Sequence, residues 1–387
     1  MVVVSAITAV SALGVGVEAH RAALLEGRSG LRVNDFAPEM GGWIGRVEGL
    51  EAHRLPQGLA RHDCRNNRLA DMALRADGFF ERVGVARARY GAGRVAVVLG
   101  TSTSGVNSAE EAYRARGADG RLPGGFDYDH TQDLFSVAGF FREALGLLGP
   151  ALVVSTACAS SARCFMDAAQ MMRVGVCDAA VVGGADSLCR MTLHGFGALE
   201  LISPGPTRPC SAERAGISIG EAAGFALLER EGEGMVLLGA GASSDGYHMS
   251  SPHPEGAGAV AAMRQALRVA GVEAVDWVNL HGTGTRANDA MEDVAVSAVF
   301  GDGVRCSSTK GWTGHTLGAC GVLEALIARE CMAEGLVPGC LGVERADPSF
   351  RSRVVVEAER REVSTVMSNS FGFGGINCSL VFGRGMA

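Results

Sequence analysis

One cysteine, two histidines and one lysine each follow a strand-like apolar run, and their types suit nucleophilic chemistry. The stretch Val153-Val154-Ser155-Thr156-Ala157-Cys158-Ala159-Ser160-Ser161-Ala162 passes from an apolar run into small residues. Ala162, Phe165, Met166, Ala169 and Met172 then recur at i, i+3, i+4 spacing, and Gly175 can stop that helix. This layout puts the Cys158 thiol at a helix N-terminus, where unpaired N–H groups and the positive end of the dipole favour a thiolate. A lone cysteine is more often a small buried apolar residue, so Cys158 needs companions. They stand in three motifs: Asn279-Leu280-His281-Gly282-Thr283-Gly284-Thr285; Lys310-Gly311-Trp312-Thr313-Gly314-His315, with Glu324 beyond; and Asn369-Ser370-Phe371-Gly372-Phe373-Gly374-Gly375. In a parallel sheet the carboxyl ends of the strands share one edge, so a thiol and two histidines placed there can converge.

Lysine usage singles out one position. Of the 35 basic residues only Lys310 is lysine, the rest being arginine. Arginine is planar and wide, whereas lysine is a compact point charge on a thin stem. Position 310 therefore reads as one that needs an ammonium.

The elements that must carry these residues alternate along the chain. Strand-like runs at 2–6, 94–99, 151–154 and 179–182 are separated by helical patterns at 18–25, 67–83 and 135–148. The segments 223–229 and 235–242 read as an antiparallel pair. Further strands at 277–280, 304–307, 354–356, 365–370 and 378–382 enclose helices at 260–270, 292–300 and 319–334. Strands linked by helices indicate a layered α/β fold. The pattern occurs twice, which divides the chain into halves at 1–238 and 239–387.

Bulk properties narrow the function classes. The 387 residues are 47% hydrophobic and 20% charged, enough for a large core and not for a disordered chain. A net charge of −7 argues against nonspecific nucleic-acid binding. No apolar run reaches the ~18 residues of a membrane span. The apolar stretch 2–17 lacks a basic leader and reads as a strand, not a signal peptide. Eleven cysteines without a CxxC pair favour a reducing, cytoplasmic setting and offer no metal-ligand spacing.

With these motifs assembled, the chain resembles the β-ketoacyl synthases, condensing enzymes of the thiolase superfamily, over nearly its whole length. Thr-Ala-Cys158-Ala-Ser matches the family's nucleophile, His281-Gly-Thr-Gly-Thr and Lys310-Gly-Trp-Thr-Gly-His315 its two histidines and lysine, and Glu324 the acid that neutralises that lysine. The resemblance implies a five-layer α-β-α-β-α fold and a dimer. It implies acyl transfer to Cys158, then decarboxylation of a malonyl thioester with His281 and His315 stabilising the enolate, in fatty acid, polyketide or polyene elongation. Backbone N–H groups of Cys158 and Phe373 would form the oxyanion hole. Thr283 and Thr285 would bond the phosphopantetheine arm, which arrives on an acyl carrier protein, so no separate cofactor is expected. Thr103 and Phe373 resemble residues that line or gate the acyl pocket. Arg61, Arg65 and Arg68 match a region used for carrier docking, while Glu200 stands where relatives often carry a basic residue. A homodimer is expected, or a heterodimer with a related synthase or chain-length-factor subunit. That factor itself, a partner lacking the cysteine, is the alternative that the presence of Cys158 disfavours. A degradative thiolase would need a second cysteine near the glycine turn, and Cys378 lies past it.

Overall fold

The computed structural model describes residues 1–385. Ten strands build its two halves. In the first are β1 (Val2–Ser11), β2 (Val95–Gly100), β3 (Ala151–Val154), β4 (Ala179–Asp186) and β5 (Ala222–Glu229). In the second are β6 (Met235–Ser244), β7 (Trp277–Asn279), β8 (Arg305–Ser307), β9 (Thr365–Gly372) and β10 (Ile376–Gly383). The spatial orders are β3-β2-β4-β5-β1 and β8-β7-β9-β10-β6. Each half has the same directions: the second strand lies parallel to the third and fourth, and the fifth runs antiparallel to the fourth and first. The repeat that the sequence shows only as a pattern is thus a repeat of topology. The division expected at 238 falls inside β6.

Six helices matter for the site: α1 (Arg65–Leu74), α2 (Ser136–Leu145), α3 (Ser160–Arg173), α4 (Ala257–Ala270), α5 (Arg286–Phe300) and α6 (Cys320–Glu334). Period-two alternation assigns each sheet face to its helices. Ala96, Val98, Ala180 and Val182 of the first sheet share one apolar cluster with Val366, Leu380 and Phe382 of the second, and α3 and α6 lie between them. The alternate residues Val97, Leu99 and Val181 face Leu69, Phe140 and Phe141 of α1 and α2. Val278, Met367 and Val381 face Met263 and Ala266 of α4 and Met291 and Ala295 of α5. The result is five layers, α-β-α-β-α, the thiolase-like arrangement that the resemblance implies. The helix α6 is buried over nearly its whole surface, as a middle-layer helix must be.

One strand assignment changes. The pair read at 223–229 and 235–242 exists as β5 and β6, but they are not hairpin partners. The N-terminal strand β1 lies between them, antiparallel to both, and joins the halves through Val2–Val4 against Met235–Leu237. A ten-residue, mostly apolar strand that pairs with both neighbours takes the place of the local hairpin. All eleven cysteines are free and buried. Among the described residues no helix is long and apolar enough to cross a membrane.

Candidate active site

The nucleophile sits on a sharp turn. After β3 the chain reverses through Ala157, whose φ of 49° is a left-handed conformation costing roughly 1–3 kcal/mol for a residue with a Cβ. Three contacts hold it there. Thr156 N–H donates to Ser160 Oγ at 3.0 Å, Ser160 Oγ donates to the Ala157 carbonyl at 2.6 Å, and Ser102 Oγ donates to the same carbonyl at 3.1 Å. Cys158 follows directly, two residues before the first residue of α3, and is 5% exposed. The thiol of Cys320, at the start of α6, donates to the Cys158 carbonyl at 3.1 Å.

The glycine turn packs against this corner. A Cβ on Gly372 would lie 3.0 Å from the Thr156 carbonyl oxygen and 3.2 Å from the Cys158 nitrogen, so close approach requires glycine there. The next residue, Phe373, points its backbone N–H at the Cys158 sulfur. Its ring stacks on Phe196 at 5.4 Å, centroid to centroid, at the mouth of the cleft.

The histidines stand on a shelf built by the second half. His281 follows β7, and buried Glu292 on α5 fixes it. Glu292 Oε1 accepts the His281 N–H and Oε2 the Gly282 N–H, each at 2.8 Å, and Asn369 Nδ2 donates to Oε1 at 3.2 Å. His315 Nε2 lies 2.9 Å from Cys158 Sγ. The two imidazoles meet edge to face, with centroids 5.1 Å apart. Lys310 Nζ donates to Glu324 Oε1 at 2.6 Å, both buried. Thr283 and Thr285 line the cleft with their hydroxyl oxygens 3.0 Å apart.

Electrostatics set the resting protonation. Burial pushes the Cys158 thiol up to about 11, against the pull of the Lys310 ammonium and the Phe373 N–H. Enclosure thus works against the thiolate that a helix N-terminus favours, and attack on a substrate must shed a proton. Burial, reinforced by Lys310, holds His281 and His315 well below the ordinary histidine value, so both rings are neutral. Burial works against the Lys310 charge, but the Glu324 carboxylate outweighs it and keeps the ammonium. The sulfur and one nitrogen from each histidine lie within 4.8 Å of one another, the one such donor set among the described residues. The Lys310 charge that depresses both histidines also opposes a cation there.

Other expected residues fall elsewhere. Thr103 is buried and does not line the cleft; its hydroxyl and N–H both donate to Asp186. The arginine cluster is not a free basic patch. Arg65 is clamped by Glu221 and Glu51, with its side chain 9% exposed. Arg68 forms a two-point pair with Asp63, and Arg61 pairs with Glu143. Each of the three cations is thus already paired with at least one acid within the chain. Glu200 is exposed beyond the helix 190–198, with φ 57°. The sequence reading passed over Glu292; its signal was an acid one helical turn beyond Asp289. Asp289 itself is structural, accepting the N–H groups of Cys210 and Gly284.

Comparison with known proteins agrees with this geometry. Residues 61–233 match the family model "Beta-ketoacyl synthase, N-terminal domain", and residues 235–344 match its C-terminal counterpart. The chain is 32% identical to nodulation protein E of Rhizobium sp. (strain N33), over 98% of each chain. It is also 32% identical to 3-oxoacyl-[acyl-carrier-protein] synthase 2 of Vibrio cholerae, over 99% of each. A ketosynthase from Xenorhabdus doucetiae, solved with its chain length factor, is 38% identical with a TM-score of 0.92, covering 99% of this chain and 98% of that one. A β-ketoacyl synthase from Burkholderia phymatum is 29% identical, with a TM-score of 0.88 over 100% and 99%. With a buried thiol facing two neutral histidines and a lone paired lysine behind them, the chain belongs to the β-ketoacyl synthases, the condensing acyltransferases of the thiolase fold.

Proposed function

We propose that the chain elongates an acyl group by decarboxylative Claisen condensation with malonyl-acyl carrier protein. The observation that carries this is Cys158 Sγ at 2.9 Å from His315 Nε2, with His281 completing the group. Cys158 sulfur attacks the carbonyl of an incoming acyl thioester and its proton passes to the departing carrier thiol. The developing oxyanion meets the N–H groups of Cys158 and Phe373. A malonyl thioester then enters; its C–C bond to the carboxylate breaks, CO₂ leaves, and the electron pair becomes an enolate. Neutral His281 and His315 each have an N–H to offer that oxygen. The carbanion attacks acyl-Cys158, a C–C bond forms, the C–S bond breaks, and the departing Cys158 thiolate takes one proton from solvent, which balances the carboxylate lost as neutral CO₂. Lys310 with Glu324 positions His315 and keeps both imidazoles neutral. The substrate's phosphopantetheine arm passes Thr283 and Thr285, and no other cofactor is required. The setting is cytoplasmic.

The partner is another chain of the same fold. The last strand in the first sheet, β3, has no neighbour on its outer edge among the described residues. Leu152, on the strand itself, stands exposed. A bare edge with an exposed apolar side chain invites pairing. The Xenorhabdus relative was solved with its chain length factor, which supports a heterodimer with such a subunit; native mass spectrometry after co-expression distinguishes it from a homodimer. Of the three arginines expected at the carrier dock, Arg61 alone presents a mostly exposed side chain, at 55%.

Cys158→Ala tests the reaction. The variant should form no acyl-enzyme and no condensation product, while malonyl decarboxylation does not fall in parallel. Intact-mass detection of a stable acyl adduct on another residue of the variant would sink the assignment.

A further inference from the structure

We propose that Asp186 is a positioning residue that locks the Cys158 turn and the His315 loop into one unit. It ends β4, is fully buried, and makes no contact with the cleft. One oxygen, Oδ1, accepts from Thr101 Oγ1, Ser102 N and Thr103 N, each at 2.8 Å, and from Thr103 Oγ1 at 2.9 Å. The other, Oδ2, accepts the Gly318 N–H at 2.6 Å and the Ser102 N–H at 3.1 Å. Both oxygens face backbone N–H groups, which can only donate, so the site is built for a carboxylate.

The two sets of donors belong to the two sides of the reaction. Ser102, held by Oδ1, props the strained Ala157 carbonyl and with it the turn that aims Cys158. Gly318, held by Oδ2, closes the segment after His315, where Leu317 sits at φ 53°. A Cβ on Gly318 would stand 2.8 Å from Asp186 Oδ2 and 2.9 Å from Ser102 Oγ, so the three residues are in close packing. The Cys158–His315 distance is therefore set through Asp186, between residues far apart in the chain. Buried networks of this kind specify one arrangement when every member is satisfied. The charge has a second effect: it raises the Cys158 thiol, opposing Lys310. Asp186 thus holds the thiol close to its histidine and adds to the burial that raises it. This assignment rests on the condensing reaction proposed above.

The test uses Asp186→Asn and Gly318→Ala in the full chain, with its partner subunit if one is required. Decarboxylation of malonyl-carrier protein, iodoacetamide alkylation of Cys158 against pH, and thermal unfolding are measured. In Asp186→Asn the amide oxygen can keep the Thr101–Thr103 side, while the amide NH₂ faces the Gly318 N–H and repels it. Decarboxylation should fall about tenfold to a hundredfold, as displacements near 1 Å do, and the alkylation midpoint should move to lower pH. Gly318→Ala should lose decarboxylation comparably with the alkylation midpoint unmoved, because the charge remains. Wild-type decarboxylation in Gly318→Ala would overturn the proposal, as would an unshifted midpoint in a folded Asp186→Asn. A wild-type chain that fails to acylate Cys158 would instead overturn the condensing reading.

Discussion

The two halves share one strand order and carry opposite loops. In the first, the link from β3 to α3 is short (residues 155–159) and holds the nucleophile, whereas the link from β4 to β5 is long (residues 187–221). In the second, the link from β8 to α6 is long (residues 308–319) and holds Lys310 and His315, whereas β9 and β10 join through a glycine turn at 373–375. Equivalent strand ends therefore carry a thiol in one half and an ammonium with an imidazole in the other. The frame repeats and the loops diverge, which is where function is grafted onto a fold. The means of support differ as well. The cysteine is aimed by backbone strain and hydroxyl contacts, with a buried carboxylate one step behind them, whereas buried carboxylates touch the histidine loops directly.

Three changes can break or sharpen that contrast. The largest effect belongs to the first half and is on stability. Arg65→Ala leaves Glu221 buried with only the Val47 and Leu188 N–H groups. Breaking such a pair costs about 3–5 kcal/mol, to be read from denaturant midpoints. The KM for carrier-linked substrates should rise no more than that for small thioesters; a selective rise would restore Arg65 to the docking surface. Next comes Lys310→Arg in the second half. The charge survives but the wider guanidinium must enter a closed space beside Glu324, so decarboxylation should drop on the order of 100-fold. Acyl transfer to Cys158 should suffer less, because the lysine supports the histidine side. Equal loss in both half-reactions would erase the division of labour between the halves.

The smallest effect is a pH trend from the shelf. Burial, chiefly, raises Glu292 to about 7 from its ordinary value of 4.5. A carboxyl with a raised folded-state value favours folding while protonated. Its contribution is full below the unfolded value and is lost as pH rises from about 4.5 through 7. Wild type should therefore lose its stability margin over Glu292→Gln by about 2 kcal/mol between pH 5 and 7. Denaturant titrations at the two pH values measure it, and a margin that grows with pH would show Glu292 ionised throughout.

What was legible in the sequence follows from distance along the chain. Cys158, His281, Lys310 and His315 lie in contiguous motifs at strand ends, so their types and neighbours disclose them. Asp186 and Arg65 take their meaning from partners far away: Thr101 and Gly318 for the first, Glu221 for the second. No local pattern marks such a residue. The partner of Thr103 was hidden for the same reason, since only the fold reveals that its hydroxyl turns to Asp186. The β5–β6 pairing failed because adjacent strands usually pair, and nothing nearby announces that residues 2–11 will come between them.

That insertion also bears on how the protein is made. Apart from a two-residue pairing with Gly14–Val15, β1 finds its sheet partners in β5 and β6, more than 200 positions later. At translation speeds of about 5–20 residues per second, it waits roughly 10–45 s with its edges unpaired. The run Val2-Val3-Val4-Ser5-Ala6-Ile7-Thr8-Ala9-Val10 combines high β-propensity with no charge and no proline, the composition of an aggregation-prone segment. The strand that stitches the two halves together is thus also a segment prone to aggregate until its partners have been made.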